Sequence, residues 1–462
     1  MSQPAVPQFT GLGWLAVVRI GLVQASIAAI VMLTTTVLNR LMVVEYALIA
    51  GIPAGLVGWH YAVQLCRPLW GHGSDKASGK GISRSVWIFG GIVVLAFGAI
   101  LAVQSTIMMS GSFALAMTIG VAAYTLVGIG VGASGTSALA LLASGVAPDR
   151  RAPAAAVTWI MMVAGIVVSA IIVGALLDPF TPERLLAVAS GLLLVCITVT
   201  GLAVYRIEPR GGIASQAFAA TAKAEPAPDF REALLEILRE KAARRFTLFI
   251  FVSMMAFNMQ DLILEPFAGL VFGMTPGEST SLGGMQSGGV LIGMIVAGIG
   301  GSAFSGRLPV ELRHWIVFGC TGSALALASL ALAAVAGPGW PLAANVFALG
   351  FCNGLFAVAA IGAMMGLAGS GEKTREGVRM GVWGAAQAIA FGLGGLVGAL
   401  GVDAARRILI SDGAAFQVIF GIEAALFVLA AVLAVRATSA DLQPAVLSAR
   451  LTEKTREREV FA

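Results

Sequence analysis

Charge is scarce in this sequence. Asp, Glu, Lys and Arg make up 11% of its 462 residues, against about 25% in an ordinary soluble domain. With 58% hydrophobic residues, the chain cannot have water as its main solvent. Cysteine is nearly missing: Cys66, Cys196, Cys320 and Cys352 are the only ones, and no two form a C-x-x-C pair. That spacing excludes a disulfide framework and a zinc ribbon, and no metal site is established. Phosphate loops, nucleophile elbows and metal-protease helices are also lacking, so the chain is not expected to be an enzyme. Its first residues, MSQPAVPQFTGLGW, have neither the basic region nor the cleavage site of a removable signal peptide. The first span is therefore expected to stay in the mature protein.

Long apolar runs take the place of what is missing. A helix needs roughly 20 apolar residues to cross a bilayer, and twelve such stretches are found near 14–38, 50–70, 85–107, 113–145, 152–176, 184–205, 245–271, 283–304, 315–336, 341–368, 378–402 and 414–435. The second boundary is the least sharp, because Asn39, Arg40 and Glu45 interrupt the apolar run. Placing both termini in the cytoplasm puts 25 of the 29 Lys and Arg inside, leaving Arg40, Arg184, Arg406 and Arg407 outside. This asymmetry is the one that membrane insertion produces. The net charge of +5 thus reports topology, and no nucleic acid is expected as a partner.

The second half echoes the first. Arg151, Trp159, Ala164 and Val173-Gly174-Ala175-Leu176 recur as Arg375, Trp383, Ala388 and Val397-Gly398-Ala399-Leu400, each 224 positions later (375 − 151 = 224). Gly128 and Gly132 similarly match Gly350 and Gly354, and glycines one turn apart offer a flat face to a neighbouring helix. The expected organisation is a six-helix half over 1–205, a cytoplasmic linker over 206–244, a second six-helix half over 245–436 and a cytoplasmic tail over 437–462. Within the linker, Asp229 and Glu232 read as a helix cap, with Phe230, Leu234, Ile237, Leu238 and Lys241 lining one face. The fold class is all-α integral membrane protein, with 12 transmembrane helices in two pseudo-symmetric halves.

Ionisable residues at membrane depth are costly, by about 2.5 kcal/mol or more near the bilayer centre, and therefore informative. Gln260, Asp261 and Glu265 fall within the seventh span, and the two acids share a helix face. They read as a proton-titrating pair, a clamp on a partner or a contact to a polar ligand. Equally, they read as an interhelical network with Asn39, Arg40 and Glu45. His60 and Gln64 form a polar face in the second span. A neutral imidazole there can ligate a metal, a pigment's magnesium included, or simply hydrogen-bond within the bundle. Glu423 in the twelfth span is a further buried acid with no evident partner, while His72 and His314 lie in loops and receive no role.

Two resemblances are carried by particular phrases of the chain. The loop Gly71-His72-Gly73-Ser74-Asp75-Lys76-Ala77-Ser78-Gly79-Lys80 is similar to the G-x-x-x-D-[RK]-x-G-x-[RK] loop of the major facilitator superfamily, with the second Gly displaced by one. Gly71, Asp75, Lys76 and Lys80 are the conformational-loop residues this implies, and six-plus-six spans with parallel repeats suit the same fold. More specifically, LNRLMVVE (38–45), HYAVQLCRPLWGHGSD (60–75) and QDLILEPFAGLVFGMTPGEST (260–280) resemble the PucC-like bacteriochlorophyll delivery family. The resemblance runs from about Gly21 to Arg436. It implies light-harvesting complex assembly, with bacteriochlorophyll or a precursor bound and delivered to antenna polypeptides or coordinated with pigment-synthesis enzymes. It also implies the inner membrane of a phototrophic bacterium, its intracytoplasmic photosynthetic membrane included. A proton-coupled transporter of a small molecule and a non-transporting scaffold are the competing readings.

Overall fold

Short polar phrases between the apolar runs start the helices. Thr181-Pro182-Glu183 opens one of them: the Thr181 hydroxyl accepts from Arg184 N at 3.1 Å, Pro182 occupies the first turn and Glu183 meets the positive helix end. Ser83 caps another by accepting from Ser85 N at 3.1 Å. Glu208 reinforces that start, accepting from Ser83 Oγ at 2.8 Å and from Ser85 N at 2.7 Å.

A computed structural model describes residues 12–64, 70, 83–146, 151–208, 241–303, 312–369, 376–409 and 411–438. The helices in chain order are α1 Trp14–Met32, α2 Leu38–Val44, α3 Gly51–Gln64, α4 Arg84–Met108, α5 Phe113–Gly145, α6 Arg151–Leu177 and α7 Pro182–Val204. They continue as α8 Lys241–Phe272, α9 Pro276–Ala303, α10 Leu312–Ala336, α11 Leu342–Gly369, α12 Glu376–Ile408 and α13 Asp412–Thr438. The loop with Gly71, Asp75, Lys76 and Lys80, the expected linker helix and the tail from 439 lie outside the described residues.

Eleven helical stretches among the described residues are long and apolar enough to cross a bilayer. The remaining expected span is α3, described over 14 residues. The chain is an all-helical, multi-pass membrane protein. One boundary differs clearly from the sequence reading: the first span does not stop near residue 38 but runs from Trp14 to Val44. Asn39 and Arg40 lie inside the helix, each 1% exposed, so Arg40 is not an outside loop residue. The ninth helix also starts earlier than expected, at Pro276 rather than near 283.

A π-helical turn, Leu33–Val37, joins α1 to α2. Such a turn rotates the next helical segment about the axis and disturbs the carbonyl ladder. The buried Tyr124 hydroxyl of α5 donates to Thr34 O at 2.7 Å, supplying a partner at that turn. Tyr124→Phe should therefore destabilise the fold by about 1–3 kcal/mol, the cost of a buried group left unpaired. Thermal unfolding in detergent checks this, and an unchanged midpoint would refute it.

Two compact units form. Unit one holds residues up to Glu225 together with Leu262–Ser287, and unit two holds Pro226–Asp261 and Gly288 onward. In unit one, α4 packs closely along α5, while α1 packs against α6 and α7. The α4–α5 seam depends on missing side chains: a Cβ on Gly130 would lie 2.5 Å from Leu95 N, and one on Gly91 would lie 2.5 Å from Ser134 N. Gly128 serves the packing role expected of it, backing onto His60 O and Val63 of α3. In unit two, α10 packs against α11 and α13.

Candidate functional site

The polar centre of unit one is built on two interrupted helices. Pro266 lies inside α8 and has no N–H to give to the carbonyl four residues back. That carbonyl, Leu262 O, accepts instead from Asn39 Nδ2 at 2.8 Å. Beside it, Arg40 Nη1 meets Glu45 Oε1 at 2.6 Å, and Nη2 donates to Met274 O at 2.6 Å. The sequence reading joined these three residues to Asp261 and Glu265, whereas their hydrogen bonds run to Leu262 O, to Met274 O and between Arg40 and Glu45. These bonds tie α2 to the far end of α8.

Glu265 sits on the same stretch of α8 and is 2% exposed. Neither of its carboxylate oxygens has a hydrogen-bond partner, although Arg40 lies within electrostatic range. A Cβ on Gly283 of α9 would fall 2.8 Å from Glu265 Oε1, so glycine is what leaves the carboxylate its space. Asn39 Oδ1, Arg40 Nε and the Thr280 hydroxyl are likewise buried without a partner. Buried polar atoms are nearly always paired in folded proteins. These atoms on α2, α8 and α9 therefore keep hydrogen-bonding capacity that the protein itself does not use.

The α8–α9 turn continues this cluster. Gly273, at φ +68°, ends α8, with Gly273 N bonded to Gly269 O and Met274 N to Ala268 O. Thr275 and Glu278 then cap α9 reciprocally, Thr275 N donating to Glu278 Oε2 at 2.9 Å and Glu278 N to Thr275 Oγ at 3.2 Å. Asp178, just beyond α6, accepts from Thr275 Oγ at 2.8 Å and from Gly277 N at 3.3 Å. An open pocket of about 750 Å³ is lined here by Arg40, Glu45, Asp178, Phe180, Met274 and Thr275, among others. Sequence reasoning missed Asp178 and Thr275. The T-P-G-E phrase was a readable capping signal for the latter, whereas nothing local singled out Asp178.

The other candidates fall elsewhere. Asp261 and Glu265 share α8, but Asp261 is exposed and belongs to unit two, whereas Glu265 is buried in unit one. Gln260 is fully buried, with neither amide atom bonded. His60 and Gln64 meet each other one turn apart on α3, with 2.6 Å between His60 Nε2 and Gln64 Nε2. The His60 ring also lies 4.9 Å from that of Tyr61. Among the described residues no group of three or more His, Cys, Asp or Glu is placed to hold a metal.

Residues 37–441 match the family model described as PUCC protein. The chain belongs to this family. One relative of the PUCC-family chain is named the bacteriochlorophyll synthase 44.5 kDa chain of Rhodobacter capsulatus. It is 50% identical over 441 residues, covering 95% of this chain and 99% of the relative. Protein PucC of the same organism is 28% identical over 435 residues, covering 90% and 91% of the two chains. Among solved structures, an inward-facing bacterial homolog of the human lysosomal transporter Spinster matches at TM-score 0.67 and 15% identity, covering 93% of this chain and 97% of that one. The nucleoside transporter NupG matches at TM-score 0.62 and 12% identity, covering 91% and 98%. At such low identity these structures speak to fold alone, and the PUCC-family chain has the fold of major facilitator transporters.

Proposed function

We propose that this chain takes part in assembling the photosynthetic apparatus by binding bacteriochlorophyll or a precursor within the membrane and delivering it to light-harvesting polypeptides. The observation that carries this is the 50% identity, over 95% of the chain, to a relative named for bacteriochlorophyll synthase, together with the PUCC-family match. The role is carriage beside a synthesis enzyme rather than catalysis, and a fold shared with transporters supports that choice. A pigment with a hydrocarbon tail and a polar ring edge needs both lipid and a few polar partners. In unit one Glu265, whose oxygens have no hydrogen bond, and Arg40, which lines an open pocket, offer such partners. His60, Gln64, Gln260 and Asp261 are further candidates for ligand contact. The protein would reside in the inner or intracytoplasmic photosynthetic membrane with both termini cytoplasmic, in contact with antenna polypeptides or pigment-synthesis enzymes.

Purification in mild detergent from a phototrophic host, followed by an absorption spectrum of the extract, tests this reading. Bacteriochlorophyll or a precursor is expected to copurify. A pigment-free protein that drives proton-coupled flux of a small molecule in vesicles would replace delivery with transport. Antenna polypeptides recovered without pigment would replace it with a scaffold role. Asp261→Asn with Glu265→Gln should lower antenna absorption in the host at unchanged protein level. Unchanged absorption would remove these two residues from the site.

A further inference from the structure

Unit two holds a second acid at membrane depth that pigment handling leaves unused. Glu423 on α13 is 0% exposed, and neither carboxylate oxygen has a hydrogen-bond partner. Asp261 on α8 acts on it electrostatically and is itself exposed. The two stand at matching depth. Asp261 precedes the end of α8 by eleven residues (272 − 261 = 11), and Glu423 lies eleven past the start of α13 (423 − 412 = 11). With about 1.5 Å of rise per residue, each lies roughly 16 Å from its helix end.

Among the described residues no counter-cation is at hand. Among the described residues of unit two, none of the buried polar side chains is Lys, Arg or His. On α8 the basic residues Lys241, Arg244 and Arg245 lie at the start of the helix. Arg313 and His314 lie in the first turn of α10, and α11 has no charged residue. The charges of α12 are confined to Glu376 and Arg379 at its start and to Asp403, Arg406 and Arg407 near its end. Arg406 is paired there with Asp412 at 2.7 Å. Along α13 the next basic residue is Arg436, thirteen positions on (436 − 423 = 13), or about 20 Å. Glu265 of unit one, by contrast, has Arg40.

A buried carboxylate with neither a counter-ion nor a hydrogen bond is unfavourable by several kcal/mol, and the group avoids this cost by remaining neutral. Asp261 is differently placed: its side chain is accessible, and acids at membrane depth are nearly always turned to the bundle interior or a water-filled cavity. We propose that Glu423 and Asp261 form a proton-binding site, in which Glu423 stores a proton inside the bundle and exchanges it with solvent through Asp261. In the exchange an intervening water takes the Glu423 proton and gives one of its own to the Asp261 carboxylate, so that the O–H bond at Glu423 breaks as one forms at Asp261. Asp261 then passes the proton to water, and the reverse sequence reloads Glu423. The inference does not rest on pigment binding.

Infrared spectroscopy of the purified full-length protein tests it directly. At neutral pH the wild type should show the C=O stretch of a protonated carboxylic acid that Glu423→Gln removes. A Glu423→Gln spectrum identical to wild type in that region would overturn the proposal. If that variant does not fold, Asp261→Asn gives the second measurement. Loss of the neighbouring negative charge should lower, by about one pH unit or more, the pH at which the band disappears. A band that vanishes at the same pH in both proteins would overturn the exchange role of Asp261. Neither readout depends on whether pigment copurifies.

Discussion

Arg40→Leu is expected to lower the unfolding free energy by about 3–5 kcal/mol, the range seen when one partner of a buried ion pair is removed. Arg40 is 1% exposed, and three things in unit one depend on it: the 2.6 Å contact to Glu45, the 2.6 Å bond to Met274 O and the electrostatic balance of Glu265. The contact to Glu45 matters least, since that side chain is 33% exposed and water can replace the guanidinium. Glu265 is 2% exposed and has no such recourse. Glu265→Gln alone should therefore be mild, and the double variant Arg40→Leu/Glu265→Gln should recover part of the loss. Denaturant unfolding in detergent of all four proteins closes the cycle. Strictly additive losses would show that Arg40 and Glu265 do not interact.

The same substitution at two positions of α5 should have opposite effects. Gly130→Ala puts its Cβ 2.5 Å from Leu95 N and 2.6 Å from Leu95 Cα. Those are backbone atoms of a long packed helix and cannot swing aside, so a loss of about 3 kcal/mol or more is expected. Gly135→Ala meets nothing within 4 Å. Alanine should there stabilise the helix by about 0.5–1 kcal/mol. Thermal midpoints of the two variants decide the matter. If both fall equally, the α4–α5 seam does not hold the helices at this distance.

Gly130 and Gly91 were not singled out in the sequence, but other close helix contacts were legible there. Glycines one turn apart signalled close helix contact, and Gly128 and Gly354 do lie against neighbouring backbone, at His60 O and Val290 O. Helix ends were less legible. The T-P-G-E phrase carries the cap of α9 in full, yet the polar residues after it made the span appear to begin near 283. Asn39 and Arg40 misled more strongly. Polar side chains in an apolar run look like a loop, and they become tolerable inside a helix only where partners exist. Leu262 O, freed by Pro266, and Met274 O come from more than 220 positions away. No local pattern connects residues so distant in the chain.

Asp261 and Glu265 show the same limit within a single helix. Their spacing of four placed them on one face, as helical geometry requires. Which surroundings each would meet depended on helices distant in sequence: Arg40 and Gly283 beside Glu265, Glu423 beside Asp261. By itself, then, the sequence determined the solvent, the all-helical membrane class and the family, because these depend on apolar run length and extended similarity. Only the tertiary structure decided which polar residues at membrane depth have partners and which do not. Helix period fixes the direction of a side chain from its own axis, and packing alone fixes what stands opposite it.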